Sequence, residues 1–160
     1  MSPAKDQKIM RLVTQSAEFY HRLVLLVGPS GSGKTPLLNQ LAHANGWRVV
    51  NLNLDLSQGL LSLTQRQRPL RVQKLLDGIV EQIDGPVVVL DNTEILFDDS
   101  LKLNPLRLLQ GISRDRTVVA SWSGALVGKH LTYATPEHPE FKQYPSQDLL
   151  LVMMDRTGTS

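Results

Sequence analysis

Gly28-Pro29-Ser30-Gly31-Ser32-Gly33-Lys34-Thr35 fits the pattern G-x-x-x-x-G-K-S/T at every fixed position. The spacing has a mechanical basis. A strand must stop, turn around a phosphate and become a helix. Glycines let the backbone approach where a side chain would strike the phosphate oxygens. Successive N–H groups then point inward, and the new helix offers its positive end to the anion. In this pattern Lys34 reaches the β- and γ-phosphates and the Thr35 hydroxyl ligates Mg²⁺. The four fixed positions arise by chance in roughly one chain of this length in two hundred. The pattern therefore predicts a loop, Gly28 to Thr35, that binds ATP with Mg²⁺.

Such a loop needs a second carboxylate for the magnesium, at the end of a buried strand. Val87-Val88-Val89-Leu90-Asp91 supplies Asp91, whose alternative role is to cap a helix. Many ATPases of this arrangement place glutamate directly after that aspartate, to polarise water. Here Asn92 and Thr93 intervene before Glu94. An amide can orient water but cannot take its proton, so Glu94 is the candidate base, against the alternative of a first-turn glutamate favoured by helix polarity. Ser121, after the run Thr117-Val118-Val119-Ala120, is the candidate strand-end contact for the γ-phosphate. Lys34, Asp91, Glu94 and Ser121 form the catalytic set, with Thr35 and Asp91 as metal ligands. Arg114 and Arg116 are candidate arginine fingers for a neighbouring subunit, or else complements to a helix end. Arg66, Arg68, Arg71 and Lys74 make a basic cluster suited to DNA phosphates or to a solvated face. His43, His130 and His138 lack a paired ligand pattern and suggest no metal site.

The elements that must position these groups follow from periodicity. Residues 6–20 carry Ile9, Leu12, Val13, Ser16, Phe19 and Tyr20 at helical spacing, giving a leading helix within residues 1–20. Leu23 to Val27 reads as a strand buried on both faces. A helix follows from about Gly33 to Asn45, and a strand from Arg48 to Leu54. Leu56 to Gln65 and Leu70 to Ile83 read as helices split at Arg68-Pro69. Pro86 to Asp91, Thr117 to Ala120 and Leu149 to Met154 complete five strands, with a helix over Leu101 to Ile112. Alternating strands and helices imply a largely parallel α/β sheet. Residues 122–147, broken by glycine and proline, read as an irregular loop in which Leu131-Thr132-Tyr133 could add a short strand. Residues 155–160 read as a tail.

Composition narrows the class further. A chain of 160 residues with 41% hydrophobic residues fills one core, so a single domain is expected. It has no cysteine, which excludes disulfides, thiolate metal sites and cysteine nucleophiles. No apolar run suits a membrane span or an export segment, so the cytoplasm is the expected compartment. Residues 1–80 hold ten Lys and Arg against four Asp and Glu; residues 81–160 hold seven against eleven. That asymmetry suits nucleic acid binding or head-to-tail stacking into a homo-oligomer.

The motifs resemble those of the additional-strand P-loop ATPases, near the AAA+ group, from about Leu23 to Met154. A lid domain after this core is not expected. A nearer resemblance is to the BrxF family, small P-loop proteins of type III BREX phage-defence systems. It rests on the loop Gly28 to Thr35, on Arg66-Gln67-Arg68-Pro69-Leu70-Arg71 and on Leu90-Asp91-Asn92-Thr93-Glu94. Further support lies in Lys102 to Leu109, Ser113 to Thr117, Leu131 to Ala134 and His138 to Phe141. This resemblance implies a three-layer P-loop NTPase that works in bacterial cytoplasm beside a methyltransferase and a larger ATPase. The function expected is an ATPase acting as an assembly or DNA-linked switch. The alternative is a non-enzymatic nucleotide-gated adaptor. Small-molecule phosphoryl transfer is disfavoured because no arginine-rich lid follows the fourth strand. A guanine switch is disfavoured because no Asn-Lys-x-Asp segment exists.

Overall fold

The computed structural model describes residues 2–133 and 142–154. Five parallel strands form the centre, in the order β2 (Arg48–Asn51), β3 (Val87–Asp91), β4 (Thr117–Val127), β1 (Leu23–Gly28), β7 (Leu150–Met153). Every residue of β1 and β3 is buried, as continuous aliphatic runs require when both faces are covered. On one face Val24, Leu26, Val89 and Val119 pack with Ile9 of α1 (Ser2–Gln15) and Leu37, Leu38 and Leu41 of α2 (Lys34–Asn45). On the other, Leu25, Leu90, Ala120 and Trp122 pack with α3 (Leu52–Leu60), α4 (Arg68–Glu81) and α5 (Pro105–Ile112). The three layers and the parallel core agree with the sequence expectation.

The sheet is larger than five strands. β4 does not stop near Ala120 but runs eleven residues. Its far half pairs antiparallel with β5 (His130–Tyr133), and β5 with β6 (Lys142–Pro145). Within the segment 122–147, expected to be irregular apart from a short strand at 131–133, the described residues thus form a small antiparallel extension that includes that strand. A glycine permits it: a Cβ on Gly124 would stand 1.8 Å from the Thr132 carbonyl oxygen. The aromatic side chains fix it. Phe97 stacks on Tyr133 with centroids 3.7 Å apart, and Trp122 meets Phe97 and Tyr144 edge-on. The indole Nε1 of Trp122 donates to the Thr132 carbonyl at 3.0 Å. Residues 134–141, with His138, and the expected tail 155–160 lie outside the described residues.

Three boundaries differ from the periodicity reading. β2 ends at Asn51, whose side-chain oxygen accepts from the Leu54 N–H and starts α3. Leu52, Leu56 and Leu60 are buried at helical spacing, so that period wins over the alternation at residues 50–54. Pro69 opens α4 rather than ending a helix, since first-turn N–H groups have no partner to lose. Asn104 likewise caps α5 through the Arg107 N–H, with Pro105 first in the helix. Residues 99–101 form a separate 3-10 turn. No described helix is long and apolar enough to cross a membrane.

Candidate nucleotide-binding site

β1 ends at Gly28, and the chain turns over the sheet before α2 begins at Lys34. Glycines are required here. Gly33 sits at φ +96°, a left-handed conformation that side chains resist. A Cβ on Gly28 would stand 2.6 Å from Ser32 Oγ and 2.7 Å from Met154 Cβ, so any larger residue would force the loop off the sheet. Met154 is held there by its N–H, which donates to the Val27 carbonyl at 2.7 Å. Lys34 is 7% exposed, and its ammonium donates at 2.8 Å to the carbonyls of both Gly28 and Pro29. Burial pulls the Lys34 pKa below its ordinary value, opposed by the negative charges of Glu94 and Asp91.

The strand order puts β4 between β1 and β3, so the loop and Asp91 straddle one intervening strand at the C-terminal edge of the sheet. In α/β sheets this edge is where ligands bind. Asp91 is 4% exposed and accepts from the Thr35 hydroxyl at 2.6 Å through Oδ2. Thr35 and Asp91 fit a small hard cation, since both give oxygen and leave other positions to water and phosphate. Among the described residues there is no cluster of three or more His, Cys, Asp and Glu, so a cation here would need those additional oxygens.

After Asp91 the backbone reverses sharply. Asn92 adopts φ 56°, ψ 50°, the left-handed region that asparagine tolerates better than most residues. A 3-10 turn, Thr93–Phe97, follows. Thr93 ties it to β4 by donating to the Ser121 carbonyl at 2.6 Å, and Phe97 ties it to the aromatic cluster. Glu94 is thereby delivered into a cavity of about 190 Å³ lined also by Lys34, Thr35, Asp91, Asn92 and Ser123. The Ser123 hydroxyl donates to Glu94 Oε2.

The structure brings Ser30, Gly31, Gly33, Lys34, Thr35, Asp91 and Glu94 together at this cavity. Gly28 and Pro29 act through their carbonyls, and Ser32 is turned in beneath the loop with its oxygen buried and unpartnered. Ser121 is not at the cavity. It is 1% exposed with its hydroxyl unpartnered beneath the site, and Ser123, two residues on along the same face, takes the position expected of it. β4 runs past the apolar stretch that ends at Ala120. Extending the strand by one alternation step would have found Ser123.

The more distant candidates resolve differently. Arg116 donates to the carbonyls of Val80 and Ile83, capping the C-terminal end of α4, so it serves its own fold rather than a neighbour's nucleotide. Arg114 lies 5.1 Å from the Tyr20 ring centroid. Arg66, Arg71 and Lys74 are exposed on and before α4, whereas Arg68 is half-buried and donates to the Leu63 carbonyl at 3.4 Å.

No curated protein matches the sequence. Among solved structures, that of C. elegans PCH-2 is similar, at 20% identity and a TM-score of 0.41. The match covers 77% of this chain and 38% of that one, so this chain spans less than half of that relative's length. Residues 24–108 match the family described as ATPase family associated with various cellular activities (AAA). That stretch takes in the glycine-rich loop, Asp91 and Glu94, and is more than half of the sequence: the chain belongs to the AAA family.

Proposed function

We propose that this protein binds ATP with Mg²⁺ and hydrolyses it. One observation carries the reading: Thr35 and Asp91 meet at 2.6 Å, with Lys34 and Glu94 in the same cavity. When bound, Mg²⁺ would neutralise phosphate charge, held by Thr35 and Asp91. Lys34 exchanges its bonds to Gly28 and Pro29 for the terminal phosphates. Glu94 accepts a proton from water attacking the γ-phosphorus, and Ser123 orients its carboxylate until then. Hydrolysis then releases the 3-10 turn at residues 93–97, the movable element nearest the phosphates.

The resemblance carried by residues 66–71, 90–94, 102–109 and 113–117 supports placing this ATPase in a BREX phage-defence complex, beside a methyltransferase or a larger ATPase, as an assembly or DNA-linked switch. A homo-oligomer would suit the uneven charge. A second reading, a nucleotide-gated adaptor without useful turnover, draws on Asn92 in place of an acid and on the engagement of Glu94 by Ser123.

Calorimetry with ATP and Mg²⁺ should show saturable binding to the purified chain. Steady-state phosphate release should be lost in Glu94→Gln while affinity is kept. No heat with ATP would overturn nucleotide binding. Unaltered turnover in Glu94→Gln would remove Glu94 from the chemistry, and zero turnover in the parent chain with every partner present would favour the adaptor. In a host carrying the remaining components, Lys34→Ala should abolish phage exclusion, and unchanged plating would remove the defence assignment.

A further inference from the structure

Two large cavities lie apart from the phosphate loop. One, of about 840 Å³, runs between α4 and α5 and is lined mostly by polar groups. It adjoins a second of about 560 Å³ at Tyr20, His21 and Gln110. Three stretches singled out in the sequence and unused by the nucleotide site meet there. Residues 66–71 supply Pro69, residues 102–109 supply Lys102 and Arg107, and residues 113–117 supply Arg114. We propose that this cleft is a groove for single-stranded nucleic acid.

Three cations, Lys102, Arg107 and Arg114, are exposed along it, and Lys102 and Arg107 make no side-chain ion pair among the described residues. From α4, Gln73 adds a polar side chain to the groove. At its end stands Tyr20, 70% exposed although its ring is fixed, with Arg114 5.1 Å from its centroid and the His21 ring edge-on at 4.7 Å. His21 is itself tied to the Gln110 carbonyl at 3.1 Å. A positioned but uncovered aromatic ring at the end of a cationic track is what a strand with unstacked bases uses.

Asp77 is the one carboxylate among the residues lining the α4–α5 cleft, against three cations, so the balance of charge along it is positive. The adjoining cavity carries Glu18 and Asp148, so phosphates run on the α4–α5 side only. A duplex is the poorer fit, because a concave groove offers no helix or ribbon to enter a major groove. The groove stands apart from the ATP site, and its failure would leave that reading intact.

The test is fluorescence anisotropy of a labelled oligo-dT strand with the full chain at low salt, against a mixed-sequence duplex of equal length. The strand should bind and the duplex should bind more weakly. Tyr20→Ala should weaken binding about tenfold with the salt dependence unchanged, and Tyr20→Phe should retain it. Arg107→Ala and Lys102→Ala should each lower the slope of log affinity against log salt by about 0.7. Calorimetric ATP binding should be the same in all four variants. No binding of oligo-dT, equal or tighter binding of the duplex, or variants indistinguishable from the parent would each overturn the groove. Should Tyr20→Ala fold poorly, the two exposed cations decide alone.

Discussion

Asn92 departs most from what the flanking residues lead one to expect, and its backbone explains why. At φ 56° the chain turns back on itself immediately after Asp91, which aims the second following residue, Glu94, at the cavity. The identity of residue 92 is therefore conformational before it is chemical. Asn92→Gly should leave thermal stability near that of the parent. Asn92→Val, forced into the left-handed region, should lose about 1–2 kcal/mol in denaturant unfolding. Asn92→Glu combined with Glu94→Gln should not restore phosphate release, because the acid would stand two residues too early in the turn. Parent-like turnover in that double variant would refute the geometric account. The loop residues, Asp91 and Glu94 could be read directly from spacing. Ser123 could not, since its placement depends on how far β4 runs, and Asn92 could be recognised as unusual but not as left-handed.

Elements were legible wherever one period dominated. β1, β3 and α2 follow from unmixed apolar runs or stripes. β2 and α3 were misdivided because Val50-Asn51-Leu52-Asn53-Leu54 satisfies alternation while Leu52, Leu56 and Leu60 satisfy a helix. Leu131-Thr132-Tyr133 could be read as a short strand, which β5 bears out, but its pairing with β6 and with the far half of β4 was obscured because each partner is short or polar. Two predictions belong to this scale. Removing the guanidinium in Arg116→Ala takes the side-chain donor from the Ile83 carbonyl and one of the donors from that of Val80, which keeps a backbone N–H, and should cost about 1–3 kcal/mol, read as a lower urea midpoint. Asp77 and Glu81 face each other one turn apart on α4, and the Asp77 pKa is raised above its ordinary 3.8 by burial and by that neighbour. A raised carboxyl favours the folded chain at low pH and loses that advantage as pH climbs through its folded value. Asp77→Asn should therefore melt higher than the parent at neutral pH, with the difference vanishing below about pH 3.8. A difference that persisted in acid would deny the charge a role.

For the whole molecule, the alternation of strand and helix gave class and layering without ambiguity, because parallel strands must be joined by crossovers. It did not give sheet size, since antiparallel additions need only hairpins and leave little trace in periodicity. Nucleotide binding at the phosphate loop should raise the stability of the fold. At a hundredfold excess of ATP and Mg²⁺ over Kd, binding should add about 2.7 kcal/mol. For a chain of this size that is a rise in Tm of about 5–10 °C. Asp91→Ala should lose the magnesium-dependent part of that rise, and an equal rise in the variant would take Asp91 out of cation binding.

β4 carries one more implication. Its odd-numbered serines, 121 and 123, face the phosphate loop side, while Trp122 between them enters the aromatic packing. Slippage by a single residue would drive an indole towards the anion and strand hydroxyls among hydrocarbon rings. Correct alignment of this one strand is self-checking, because the error that takes Ser123 away from the cavity also unmakes the core.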